Sequence, residues 1–475
     1  MLGTGFLRNL AMLLGGTAAG QIIALAAAPV LTRIYSASDF AVVSAFVGIS
    51  TILSIVATLR YDLALLLPKD DEDAGVVLQL AAWVVVFAGI LIGVGLWLFG
   101  PTLAAHVPTF AAVAPVMGWV PLMVVAVSCF QILNAWGNRA RAYRSMAGAG
   151  VLNQGGNVAA AIAIGVSRVA SHGMVIGRLI GQVVAALWFV VSLWSLRPRR
   201  VASWASLKRV AQRYRQFPMF NVPYSVLGAF SQEFLVFALL AFHQAEVAGA
   251  FALVRTVLLM PSRYLSSSLG LVFFREAAQL FGTPALETLT LKLMRRLGIA
   301  VMPLTVFFMF WSEELFVLVF GSQWHAAGRM AAYYAPVAFL FLFTSWPERL
   351  YEVSERQRVS LSIEVFGNVA KVCAVLTPLY AGWGATAAII GYAIADALYH
   401  VVYLLGLFHV GRFKYSNLAL IAGRIAIHGG IATVICAVLH AVPISPLLQA
   451  AVALFAVLVQ IGCSIMLDLG RLPRK

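Results

Sequence analysis

Runs of about twenty apolar residues recur from one end of this chain to the other, and each is long enough to carry a helix through a bilayer. In hydrocarbon every backbone N–H and C=O must be satisfied within the protein, which leaves only helices and closed barrels. The alternating segments of about ten residues that a barrel needs are absent. The chain therefore reads as an all-α integral membrane protein. Composition agrees: only 11% of the 475 residues are charged, against about 25% in soluble proteins, and the mean hydropathy is +0.92.

The pattern predicts fourteen spans, at roughly 9–32, 40–67, 76–100, 114–136, 147–167, 174–196, 218–243, 247–272, 297–316, 330–347, 361–381, 384–408, 421–441 and 446–467. The formal net charge is +15. In a soluble protein that would point to nucleic acid. Here the bases crowd into every second loop, as the positive-inside rule expects, and only Arg33, Arg168 and Arg329 fall on the opposite side. That asymmetry places both termini in the cytoplasm and requires an even number of spans. The first apolar run is accordingly read as a span and not a cleaved leader.

The chain also reads as a duplication. Gly156-Asn157-Val158-Ala159 recurs as Gly367-Asn368-Val369-Ala370. At nearly constant separation Phe99-Gly100 matches Phe320-Gly321, Pro115-Val116 matches Pro336-Val337, and Gly177 with Gln182 matches Gly391 with Asp396. Two pseudo-symmetric six-helix bundles are expected, 1–196 and 218–410, related by an axis along the membrane normal. The basic, amphipathic segment 197–217 joins them and is expected to lie on the anionic cytoplasmic leaflet. Residues 411–475 add two further helices and a cytoplasmic tail.

Charges inside spans are expensive and persist where they meet a partner or a wet cavity. Glu364, Asn368 and Lys371 fall on one helix face, and Asn153 and Asn157 occupy the matching face of the first half. Arg60 and Asp62 lie near the cytoplasmic end of span 2, as a snorkelling pair or a cavity mouth. Arg255 and Arg263 lie two turns apart in span 8, where they can line one path. Glu233 stands in span 7. Asp396 and His400 are one turn apart in span 12, either as a structural hydrogen bond or as a proton-coupling site. Arg178 is expected to snorkel outward. Glu313 and Glu314 are placed in an outer interfacial helix, and the Asp70-Asp71-Glu72-Asp73 run in a solvated turn. Glycine pairs such as Gly16/Gly20, Gly89/Gly93 and Gly177/Gly181 mark close helix packing. Counted together, the buried charges give a mixed, slightly cationic interior that suits a phosphate or diphosphate. Substrate contacts are therefore assigned to Arg60, Arg255, Arg263, Lys371, Asn157 and Asn368. Coupling or charge pairing is assigned to Asp62, Glu233, Glu364 and Asp396.

There is no GxxxxGK[ST], HExxH, CxxC or G-x-S-x-G pattern, so no nucleotide hydrolysis, metal, cofactor or acyl-transfer chemistry is expected. Cys129, Cys373, Cys436 and Cys463 read as small apolar residues. The stretches GGTAAGQIIALAAAPVLTRIYSASDF, ATLRYDLALLLP and FGSQW resemble the Wzx-type polysaccharide flippases of the multidrug/oligosaccharidyl-lipid/polysaccharide exporter superfamily. That resemblance implies a bacterial inner-membrane transporter that moves undecaprenyl-diphosphate-linked oligosaccharide between leaflets, working among membrane lipids beside a polysaccharide polymerase and glycosyltransferases. It also implies that Arg255, Arg263 and Lys371 meet the diphosphate. By similarity to the lipid II flippase, the last two helices would guide the lipid tail. The alternatives are a cation-coupled drug or metabolite antiporter, which needs an acid-dominated cavity, and a membrane glycosyltransferase, which needs an acidic or histidine cluster at one membrane face.

Overall fold

The computed structural model describes residues 4–167, 172–198 and 200–470. Arg168, Arg199, Arg471, Arg474 and Lys475, which contribute to the charge asymmetry between loops, lie outside the described residues, as do the side chains of Arg8 and Arg275. Long helices run over Thr4–Ile34 (α1), Ala37–Thr58 (α2), Asp71–His106 (α3), Val120–Arg139 (α4), Tyr143–Ser167 (α5), Gly173–Ser192 (α6) and Val222–Ala241 (α7). They continue over Ala245–Leu280 (α8), Pro284–Phe320 (α9), His325–Ser345 (α10), Gln357–Tyr380 (α11), Ala385–Gly411 (α12), Tyr415–His440 (α13) and Pro446–Gly470 (α14). No strand occurs among the described residues. Among the described residues thirteen stretches are long and apolar enough to cross a membrane, and α1 adds the shorter apolar piece Ala19–Ile34. The fold is that of a multi-pass, all-helical membrane protein.

Local chemistry sets the helix ends. Ser36 caps α2: its Oγ accepts from the Asp39 amide, and the Asp39 carboxylate accepts from the Ser36 amide at 2.9 Å. Asp71, Glu72 and Asp73 fill the first turn of α3, where the helix dipole favours negative charge. The turn between α8 and α9 is made by Gly282 at φ 79°, a conformation open to glycine.

Three expectations are corrected. Span 2 does not reach residue 67: α2 stops at Thr58, because Leu59 (φ 46°) and Arg60 (φ 58°) turn left-handed before a short helix, Tyr61–Ala64. The segment before Phe320-Gly321 is not a separate interfacial helix, because α9 runs unbroken through Glu313 and Glu314. The basic stretch expected as a loop between spans 8 and 9 is helix, since α8 and α9 both extend beyond their apolar windows.

The chain divides into two compact units, Met1–Ala252 and Leu253–Lys475, with the boundary inside α8. In the first unit α5 packs along α1 and α6, α4 bridges α2, α3 and α6, and α7 lies on α2. Its core gathers Tyr61, Leu65, Val77, Trp136 and Phe189, with Phe130 edge-on to Phe189 at 5.2 Å. In the second unit α9 packs on α10 and α13, α10 on α12, α11 along α12, and α14 on α9. Phe273 meets Trp346 edge-on at 4.7 Å in one cluster, and Trp311, Cys436 and Val457 form another. The pairs α3–α4, α5–α6 and α4–α6 of the first unit reappear as α9–α10, α11–α12 and α10–α12 in the second. That is the packing order a duplicated sequence would produce.

Candidate functional site

A cluster of hydrogen-bonded and charged side chains sits within the spans where α10, α11 and α12 meet. Gly391 of α12 rests against α11 so closely that an added Cβ would stand 2.5 Å from the Ala374 carbonyl oxygen. This approach carries Lys371 of α11 to Asp396 of α12, with Nζ 3.2 Å from Oδ1. From α10 the Tyr334 hydroxyl donates to Asp396 Oδ2 at 2.9 Å. His400, one turn along α12, places Nε2 3.9 Å from Asp396 Oδ1 and Nδ1 2.8 Å from Thr344 Oγ1. The Lys371 ammonium also lies 4.5 Å above the Tyr399 ring, a cation–π contact. Tyr334, Asp396 and His400 are buried. A charge this deep needs an opposite charge and hydrogen bonds to its remaining lone pairs; Asp396 has both. Arg255 of α8 acts electrostatically on Tyr334 and so belongs to the same neighbourhood.

Lys371 therefore pairs across helices and not with Glu364, whose two-turn separation on α11 is too long a reach. Glu364 is half-buried and lies in the electrostatic surroundings of Tyr399 and Glu348. Asn368 is half-buried on the same helix, and Arg263 is exposed on α8.

The first unit has a neutral counterpart. An added Cβ on Gly181 of α6 would stand 2.2 Å from the Asn153 carbonyl oxygen and 2.7 Å from the Asn157 amide nitrogen of α5. Across this contact Asn153 Nδ2 donates to Gln182 Oε1 at 2.7 Å. Gln182 matches Asp396 in the repeat, so the same helix pair is bridged by amides in one unit and by an ion pair in the other. Arg178 does not simply snorkel: its guanidinium donates to Gln154 Oε1 at 3.2 Å.

Arg60 and Asp62 lie outside the spans, in the break after α2, 3.9 Å apart. Asp62 is buried, and that burial raises its carboxyl above the usual carboxylate range although Arg60 works against the rise. Glu233 of α7 lays its stem over Gly48 of α2, where an added Cβ would meet Glu233 Cγ at 3.0 Å. The acidic run is not merely solvated: Arg139 meets Asp71 at 2.9 Å, Arg200 meets Glu72 at 2.7 Å and Arg213 meets Asp73 at 3.4 Å. Glu313 pairs with His325.

Of the residues selected from sequence, the structure joins Lys371 to Asp396 and Arg60 to Asp62. Tyr334, Thr344 and Tyr399 complete the α10–α12 cluster and were missed, because a search for charges in spans passes over neutral hydrogen-bonding groups. Among the described residues no group of three or more His, Cys, Asp or Glu is arranged to hold a metal ion.

A family profile described as "Polysaccharide biosynthesis protein" matches residues 30–329. No curated protein sequence matches the chain. Among solved structures, the lipid II flippase MurJ in an inward closed conformation superposes with a TM-score of 0.75 at 12% identity, over 96% of this chain and 99% of that one. An inward-facing multidrug resistance MATE family transporter of the MOP superfamily gives 0.62 at 16% identity, over 86% and 95%. A MOP superfamily transporter from Pyrococcus furiosus gives 0.51 at 16% identity, over 88% and 95%. At these identities the likeness is one of fold.

Proposed function

The chain belongs to the polysaccharide biosynthesis protein family, and from that premise we propose that it is a flippase for undecaprenyl-diphosphate-linked oligosaccharide. It would reside in the bacterial inner membrane with both termini in the cytoplasm, and two halves, 1–196 and 218–410, would work by alternating access. Glycosyltransferases would supply the lipid-linked sugar and a polymerase would consume it. The physical problem is that sugars and a diphosphate cannot cross hydrocarbon unaided, whereas a polyprenyl chain can remain in lipid.

The observation that carries the reading is the ion-paired cluster of Lys371, Asp396, Tyr334 and His400 within the spans. A cation antiporter would hold a carboxylate open for its cargo, whereas Asp396 is already engaged by Lys371 and Tyr334. An anionic headgroup that competes for Lys371 would free Asp396, which links substrate arrival to a change in the α10–α12 packing. Arg255, which acts electrostatically on Tyr334, is assigned to the same anion, and Arg60, Arg263, Asn157 and Asn368 are the further contacts assigned to the sugar-diphosphate path. Asp62, Glu233 and Glu364 are assigned to charge balance or coupling.

A deletion strain assayed for lipid-linked oligosaccharide tests this. Accumulation on the cytoplasmic leaflet, relieved by the wild-type gene, is the expected result. Normal surface polysaccharide with lost export of organic cations would replace it with the antiporter reading.

A further inference from the structure

A furrow of about 710 Å³ runs between α11 and α12. Its floor is made of Gly367, Ala370, Ala374 and Gly391, and Phe366 and Leu398 form its rims. The furrow exists because the two helices touch through small residues: at Gly391 no Cβ fits against the Ala374 carbonyl, and at Gly367 an added Cβ would collide with the Tyr399 ring. Every lining residue lies inside a candidate membrane span, and α11 is the least buried of those spans, with 6% of its apolar window covered. From Ser362 to Ala374 the furrow follows α11 for about 18 Å at 1.5 Å per residue, more than half of a hydrocarbon core of about 30 Å.

One end of the furrow is basic. Arg358 stands one turn before Ser362, on the same face of α11, and Ser362 Oγ donates to its carbonyl at 3.0 Å. Arg358 is exposed and makes no ion pair among the described residues. The opposite end of α11 and the turn after it carry exposed Tyr380 and Trp383, residues typical of the far interface. An apolar channel at membrane depth with a free guanidinium at one end matches a lipid with a phosphorylated head. A single furrow holds one chain, which favours a polyprenyl lipid over a two-chain phospholipid.

We propose that the α11–α12 furrow seats the polyprenyl chain of a polyprenyl diphosphate in a loading position, with Arg358 on the diphosphate before the headgroup moves on to Lys371. This rests on the flippase reading above and moves the tail site from the last two helices, where the sequence resemblance put it, to α11 and α12.

The test uses the full-length protein in phosphatidylcholine nanodiscs with an undecaprenyl diphosphate that carries a diazirine in its chain, and crosslinked residues are mapped by mass spectrometry. Labels on Phe366 and Leu398 are expected. Unlabelled undecaprenyl diphosphate should remove them, and a tenfold excess of phosphatidylglycerol should not. Arg358→Ala should lower labelling about tenfold, the loss of one charge-assisted contact, and Ala370→Phe should abolish it at the furrow. The wild-type map decides the matter even where Ala370→Phe fails to fold. Labels confined to α13–α14 but competed by undecaprenyl diphosphate would overturn the furrow and leave the flippase reading standing. Equal competition by phosphatidylglycerol would make it a bulk-lipid groove and also overturn the proposal. Absence of competed labelling, together with no lipid-linked sugar accumulating in the deletion strain, would remove both.

Discussion

Lys371 Nζ and Asp396 Oδ1 lie 3.2 Å apart across α11 and α12, with only 12% and 8% of their side chains open to solvent. Breaking such a pair on one side strands a buried charge, which costs about 3–5 kcal/mol, while removing both partners together costs far less. Lys371→Met and Asp396→Asn should therefore each lower the unfolding midpoint in detergent. The double variant should recover most of that loss and still fail to restore surface polysaccharide. Single variants with the wild-type midpoint would show that the pair is wet and carries little energy.

The matching bond in the first unit joins two amides, Asn153 and Gln182. A neutral hydrogen bond contributes about 1 kcal/mol net, so Gln182→Leu should cost much less than Asp396→Leu in the same denaturation assay. Equal losses at the two positions would mean that packing of the helix pair, and not the charge, sets the energy.

The close approaches that bring these groups together make a steric prediction. Gly391→Ala and Gly181→Ala force a methyl to within 2.5 Å and 2.2 Å of backbone oxygen, and overpacking of this kind costs about 1–3 kcal/mol. Gly95 lies inside α3 with nothing within 4 Å of an added Cβ. There alanine should raise stability by about 0.5–1 kcal/mol through its helix propensity. Melting curves of the three variants decide it, and a neutral Gly391→Ala would mean that α12 can slide along α11 at little cost.

The helices were legible because hydropathy acts over whole spans, so single residues hardly disturb it. The break after α2 was not, because Leu59 and Arg60 take a left-handed backbone that neither residue type announces. Lys371 and Asp396 were conspicuous as charges in apolar runs, but their pairing depends on the packing at Gly391. Tyr334 and Thr344 remained invisible since neutral side chains in a span look like ordinary lining. The segment 197–217 was read as basic and amphipathic, yet its helix Trp204–Arg213 buries Leu207 and Val210 in the core of the first unit. Part of its apolar surface thus meets protein, while Val201 and Trp204 stay exposed.

The break at Arg60 has a pH signature. Burial holds the Asp62 carboxyl above its ordinary value. In the unfolded chain the group titrates near 3.9. Between that pH and the raised folded value, the unfolded state has lost its proton and the folded state has kept it, so stability falls as pH rises through this window and is flat above it. Asp62→Asn should remove that slope from a plot of unfolding midpoint against pH, starting near pH 3.5. A slope that survives the substitution would assign the titration to another carboxyl.

Beside the buried Leu207 and Val210, two kinds of polar contact fasten segment 197–217 to the first unit, and they respond differently to salt. The ion pairs Arg200–Glu72 and Arg213–Asp73 are exposed on at least one side. Exposed pairs contribute about 0–1 kcal/mol and are screened over a Debye length of about 8 Å at physiological ionic strength. Gln79 instead reads the backbone: its Nε2 donates to the Arg200 carbonyl at 2.9 Å and its Oε1 accepts from the Ala202 amide at 2.9 Å. Two such bonds are insensitive to salt, and losing them leaves a carbonyl and an amide without partners. Gln79→Ala should therefore open the segment to trypsin at Arg200 at every salt concentration. Glu72→Gln should leave cleavage near the wild-type rate, with only a small change that disappears in high salt. If Glu72→Gln released the segment as fully as Gln79→Ala, electrostatics and not backbone pairing would hold it, and wild-type cleavage would then rise steeply with added salt.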